Sequence, residues 1–261
     1  MSGFNLFGSY NKEGKGVSKN QNKGRVKVFF EIFFRKFWKL IELNMLYFIF
    51  CIPIFTIGPA TAAFTKILRN YSQERNAFLF ADFLKEFKSS FKSTVFVGLF
   101  DVLIVFVFTV SIMFYTNMTD AGLMKYLFIG LTYLLLLLVT LAHFYLYLMI
   151  VSTNVNIKEA IKNSLILGII ELKTNAITLL LVLLIVIPVV LFIPFSLIFI
   201  PFFPLSWIGF IICYNSYPKI RKHVIQPFYD QTGEQNPELD YLYPSENGEE
   251  AKKTVFKDNV N

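Results

Sequence analysis

The chain has 261 residues, of which 55% are hydrophobic, 18% aromatic (31 of them Phe) and only 16% charged. A soluble domain carries about 25% charged residues, and no soluble core accommodates the 45 residues from Thr174 to Pro218, which hold no formal charge. The formal net charge of +7 sits beside the apolar runs, which points to a membrane surface rather than to nucleic acid.

Residues 1–25 are basic, rich in Gly, Asn, Ser and Lys, and without hydrophobic periodicity, so they read as a flexible arm. Gly8 to Lys15 resembles a phosphate loop only superficially. Its glycines are one residue too far apart, Gly16 stands where Ser or Thr belongs, and no strand precedes it. From 26 to 42, Lys27, Glu31, Arg35, Lys39 and Glu42 share one helical face, while Phe29, Phe30, Phe33, Phe34, Phe37, Trp38 and Ile41 fill the others. That pattern predicts an interfacial helix lying along the headgroups.

Leu43–Thr65 is uncharged and long enough for one crossing, but Pro53, Gly58 and Pro59 interrupt it. Proline removes a backbone donor and disfavours the helix before it, and in lipid every freed carbonyl needs an internal partner. The helix-break motif is Pro53, Thr56, Gly58, Pro59 and Thr61. A cleaved signal peptide, suggested by Ala60-Thr61-Ala62, conflicts with the forty residues ahead of the apolar run.

A second surface helix is expected at 79–92, where Phe80, Phe83, Phe87 and Phe91 face away from Asp82, Lys85, Glu86 and Lys88. Apolar spans follow at Val95–Tyr115 and Tyr126–Val151, since a core of about 30 Å takes about 20 helical residues. Between them Asn117-Met118-Thr119 has the form of a glycosylation sequon. A third surface helix begins at Asn156, where Asn-Ile-Lys-Glu resembles a capping box. The uncharged run from Thr174 is twice the length one crossing needs. Its prolines place a turn near Ile193–Ser196 and spans at about 175–193 and 196–217. Residues 226–261 read as a polar tail, leaving 26–225 as the membrane domain.

The basic residues orient this bundle. Loops 66–92 and 152–173 and the stretch after the last span are rich in Lys and Arg, whereas the turns at 116–125 and near 194 are not, so the former face the cytoplasm. The N-terminal arm is equally basic. A single crossing by 43–65 would place it on the opposite side from loop 66–92. A helix–break–helix hairpin, with 40–52 entering and 59–70 returning, removes the conflict; five simple spans with an external N-terminus are the competing topology.

The search for chemistry finds no HExxH, GxSxG or dinucleotide fingerprint. Cys51 and Cys213 lie in apolar runs with no CxxC or Cys/His grouping, so neither metal nor cofactor is expected. Two ionisable residues do lie inside spans, where such groups are costly and often functional. Asp101 and His143 fall at similar depth on sequential antiparallel helices and are expected to pair, either fixing helix register or relaying protons and binding substrate.

At Ile57-Gly58-Pro59-Ala60-Thr61-Ala62-Ala63 the chain resembles the YesL family of bacterial integral membrane proteins, a domain of unknown function numbered 624. Leu43-Asn44-Met45-Leu46, Ala81-Asp82-Phe83-Leu84-Lys85-Glu86-Phe87-Lys88 and Asn215-Ser216-Tyr217 support the resemblance, which covers about 30–225. It implies a multi-pass protein of the bacterial cytoplasmic membrane with no settled activity, many members being encoded beside carbohydrate ABC transporters. It supplies no catalytic residues.

The expected protein is an all-α, polytopic membrane helix bundle. About five segments are membrane-embedded, and amphipathic interfacial helices flank them. The leading functional expectation is a non-enzymatic accessory or regulatory component of carbohydrate uptake, partnered by the lipid bilayer and by ABC permease or sensor subunits. The alternative is a small stand-alone transporter or channel with its site at 53–59.

Overall fold

The computed structural model describes residues 24–118 and 122–233. The phosphate-loop look-alike and most of both expected tails lie outside them. Nine α-helices follow in order: α1 Arg25–Arg35, α2 Phe37–Phe50, α3 Ile57–Ser72, α4 Leu79–Asn117, α5 Gly122–Ser152, α6 Ile157–Ile170, α7 Leu172–Leu191, α8 Pro204–Ile220 and α9 Gln226–Thr232. There is no strand among the described residues, so the all-α expectation holds. Of these helices α4, α5 and α7 are long and apolar enough to cross a bilayer.

The interrupted segment is a hairpin. Helix α2 ends at Phe50, a 3-10 turn occupies Ile54–Thr56, and α3 returns from Ile57. Three pairs centred on the break establish the antiparallel run. The Tyr47 hydroxyl lies 3.0 Å from Thr61 Oγ1, the Lys36 ammonium sits 5.2 Å above the Tyr71 ring, and Arg35 pairs with Glu74 at 2.9 Å. At about 1.5 Å per residue, 14 and 16 residues give arms of roughly 21 and 24 Å. Both fall short of a full crossing, and the tip residues Ile49, Ile52, Ile54 and Phe55 are exposed, as in a re-entrant pair with its tip in lipid.

The expected surface helix at 79–92 and the span at 95–115 are one helix, α4, of 39 residues. No Pro or Gly lies between them to stop it. Of the aromatic face expected to meet the membrane, Phe83 and Phe87 instead pack inward, at 5.2 and 5.0 Å from Phe50, while Phe80 is exposed. Helix α1 is likewise engaged. Phe29 lies 5.4 Å from Phe210 and Phe33 lies 5.5 Å from Trp207, after which a bend at Lys36 turns the chain into α2. Helix α6 begins after Asn156 as expected, but the Asn156 side chain makes no capping bond.

The last uncharged run turns where expected, near 193–196, but over a longer stretch. Residues 192–203 form turns and a 3-10 stretch at Phe195–Ile198, and α8 starts only at Pro204. Pro194, Pro201 and Pro204 lack amide protons, and Pro204 opens the helix where its missing donor costs nothing. The expected tail from 226 begins with α9, reached through a π-helical turn at Arg221–Ile225.

Contacts gather the basic segments at one end of the bundle. Arg25 reaches the Tyr214 carbonyl, Lys66 and Arg69 reach the end of α5, and Lys219 reaches Glu171. From that end α4 and α5 run past the other helices. Over 102–117 and 122–138, Thr132 alone is buried, and the exposed side chains are apolar apart from Thr109, Thr116 and Asn117.

Candidate functional site

Two helices meet where the charges lie. Helix α5 is antiparallel to α4, and the His143 Nε2 atom stands 2.8 Å from Asp101 Oδ1. The expected pair therefore forms. Tyr147, four residues on and so on the same face, donates its hydroxyl proton to Asp101 Oδ2 at 2.6 Å. His143 Nδ1 lies 3.0 Å from the Val139 carbonyl. A carbonyl only accepts, so Nδ1 is the donor there. The Nε2–Oδ1 contact then holds one proton, carried by either partner, and the cluster has zero net charge in both arrangements. The side chains are partly open, at 20% for Asp101 and 32% for His143.

They are open because they form the wall between two cavities. One, of about 580 Å³, lies among α4, α5 and α6; Phe96, Phe100, Ile104, Leu146 and Ile161 line it, with Lys92 at its edge. The other, of about 290 Å³, lies among α2, α3, α5 and α8; it presents the Tyr47, Thr61 and Tyr147 hydroxyls with Leu205 and Ile212. Asp101 and His143 face both.

The break motif divides into structural and cavity-facing parts. The Thr56 hydroxyl lies 2.6 Å from the carbonyls of Phe50 and Pro53, so the groups freed by the break are satisfied within it. Gly58 lies against α4 backbone: a Cβ there would come within 1.9 Å of the Thr94 carbonyl oxygen, and one at Gly98 within 2.3 Å of the Gly58 nitrogen. Gly58 and Pro59 are buried, whereas Pro53 is exposed at the tip. None of these three lines either cavity. Thr61 does, bonded to Tyr47 and to the Ile57 carbonyl. Of the expected motif, Thr61 lines the second cavity, beside the charged pair.

Sequence reasoning missed Tyr147, Asn44 and Gly98 as contributors. Tyr147 was available from its spacing to His143. Ser90, Thr94 and Gly98 repeat small residues every four positions, the pattern of close helix approach in membranes. Asn44, fully buried, donates to the Ile200 carbonyl at 2.8 Å and accepts from the Ser206 amide at 2.7 Å. It holds the turn before α8, and no local pattern announces that. Among the described residues no three His, Cys, Asp or Glu side chains could share a metal ion.

These features define a multi-pass helical membrane protein with a buried polar cluster between cavities. Residues 40–112 match the family described as "Protein of unknown function, DUF624", consistent with membership of the family resembled at Ile57–Ala63. The match takes in the hairpin, the Gly58–Gly98 contact and Asp101, and stops before His143. No curated protein and no solved structure matches the chain.

Proposed function

We propose that this protein is a proton-linked carrier of small apolar molecules that bear a basic group, with its site at Asp101, His143 and Tyr147. The supporting observation is that one carboxylate–imidazole pair lies inside the apolar region and faces two cavities at once. An apolar wall with a single carboxylate suits a lipophilic ammonium. Such a ligand, placing its N–H on Asp101 Oδ1, takes the position of His143 Nε2. The imidazole then gives up the shared proton, so one cation enters as one proton leaves and the cluster stays neutral. Tyr147 keeps Oδ2 bonded throughout. Ionisable groups inside membranes commonly mark such pathways.

Adding a lipophilic amine to weakly buffered, detergent-solubilised protein is expected to release about one proton per ligand bound, the exchange stoichiometry of a shared site. Asp101→Asn should bind no amine and release no proton. Amine binding unaltered in Asp101→Asn would sink the reading.

A second reading, an accessory component of carbohydrate uptake, draws support from the family resemblance and from the apolar sides of α4 and α5 beyond Asp101, which no helix among the described residues covers. On α1 and 79–92, Phe29, Phe33, Phe83 and Phe87 pack against the bundle, while Phe30, Phe34 and Phe80 stay exposed. Purification from native membranes in mild detergent tests it: ABC permease subunits in stoichiometric amounts would favour this reading, and recovery of the chain alone would remove it.

A further inference from the structure

At the basic end, a polar cavity of about 450 Å³ lies between α3, the end of α5 and the π-helical turn, with Lys66, Arg69, Glu86, Ser152, Asn154 and Tyr229 in its walls. Arg69 is 7% exposed. Its Nη1 atom reaches the Val151 carbonyl at 3.3 Å and Ser152 Oγ at 3.1 Å, its Nη2 reaches Asn70 Oδ1 at 3.3 Å, and its guanidinium lies 5.4 Å from the Tyr217 ring centre. All these partners are neutral. The Arg69 Nε proton is buried and has no acceptor. Lys66 adds a second cation, donating to the same Val151 carbonyl at 2.9 Å.

The end of α5 contributes only about half a negative charge, and Glu86, the one carboxylate among the described wall residues, accepts from the Ser90 hydroxyl at 2.7 Å. A buried guanidinium served by carbonyls and amides alone is costly. Ser152 accepts from Arg69 and so keeps its own proton to donate. A planar cationic donor, a lysine and a hydroxyl form the donor set of a phosphate site.

We infer that this cavity binds a phosphate-type anion, from either a lipid headgroup or a free phosphate. The site is separate from the Asp101–His143 cluster and does not depend on the carrier reading. It links α3 to α5 at the end where the chain meets anionic lipid or solution.

The test is thermal unfolding of the full chain in mild detergent, followed by tryptophan fluorescence, with phosphatidylglycerol, phosphatidylcholine or inorganic phosphate added. The expected result is a midpoint raised by several degrees in the wild type with phosphatidylglycerol or inorganic phosphate. A rise with phosphatidylglycerol only assigns a lipid headgroup; a rise with inorganic phosphate assigns a free anion. The rise should vanish in Arg69→Gln and shrink in Lys66→Gln and Ser152→Ala, and persist in Lys92→Gln at the other cavity. If Arg69→Gln fails to fold, Lys66→Gln and Ser152→Ala decide. No rise in the wild type with either anion, or an equal rise with phosphatidylcholine, overturns the inference. So does a rise undiminished in Lys66→Gln and Ser152→Ala.

Discussion

Single atoms decide several positions in this molecule. Gly58 and Gly98 let α3 and α4 touch backbone to backbone, and a methyl group at either must push two helices apart. Gly58→Ala or Gly98→Ala should cost about 1–3 kcal/mol, the range for overpacking, read as a lower unfolding midpoint in detergent. Gly58→Leu would therefore report on folding, not on a substrate path. Asn44 presents a different constraint, because both ends of its amide are used. Asn44→Leu leaves a buried amide and a buried carbonyl unpaired, at about 1–3 kcal/mol for each. The region around 200–206 should then become protease-sensitive before the rest of the chain. The Asp101–His143 pair was legible from spacing alone, since two antiparallel helices bring equal depths together. Asn44 was less visible, because its partners at Ile200 and Ser206 are set by three-dimensional neighbours.

Helix ends show how elements are joined. Glu171 lies in the bend between α6 and α7 and accepts from Lys219 at 2.6 Å and His223 at 2.8 Å. The Lys219 hydrogen bond, against the opposing effect of burial and with help from His223 and Thr174, holds the Glu171 carboxyl down to about 2. A carboxylate depressed in the folded state stabilises above its unfolded value, about 4.3, and that contribution is lost as pH falls towards 2. Glu171→Gln should thus unfold at lower temperature than the wild type at pH 7, with the deficit closing below about pH 4. An equal deficit at pH 7 and pH 3 would show that the carboxylate does not tie α7 to α8. The break between α2 and α3 has its own tie in the Thr56 hydroxyl. Thr56→Val keeps the shape and removes the donor; a loss of about 1 kcal/mol is expected, with Thr56→Ser restoring it.

Across the whole molecule, the hairpin places residues 24 and 73–78 at the same end as 153–156 and 221–225, while 118 and 193–203 lie towards the other. Single cysteines introduced into a Cys51→Ala, Cys213→Ala background should label in two groups with a membrane-impermeant thiol reagent. Positions 75 and 154 should react from one side and 118 from the other. Labelling of Gly24 and Arg75 from opposite sides would discard the hairpin in favour of a single crossing.

What the sequence by itself determined was the solvent and the breaks: charge depletion required lipid, and the prolines placed the interruptions. These are one-dimensional quantities, because a bilayer imposes the same length and polarity on every segment that enters it. Only the tertiary structure decided that Phe83 and Phe87 face the core rather than the headgroups, and that 79–117 is unbroken. Only it showed that Gly58 is a contact rather than a pocket wall, and that Arg69 is buried with neutral partners among the described residues. An apolar helical face looks the same whether lipid or another helix covers it, and which one does depends on neighbours distant in the chain.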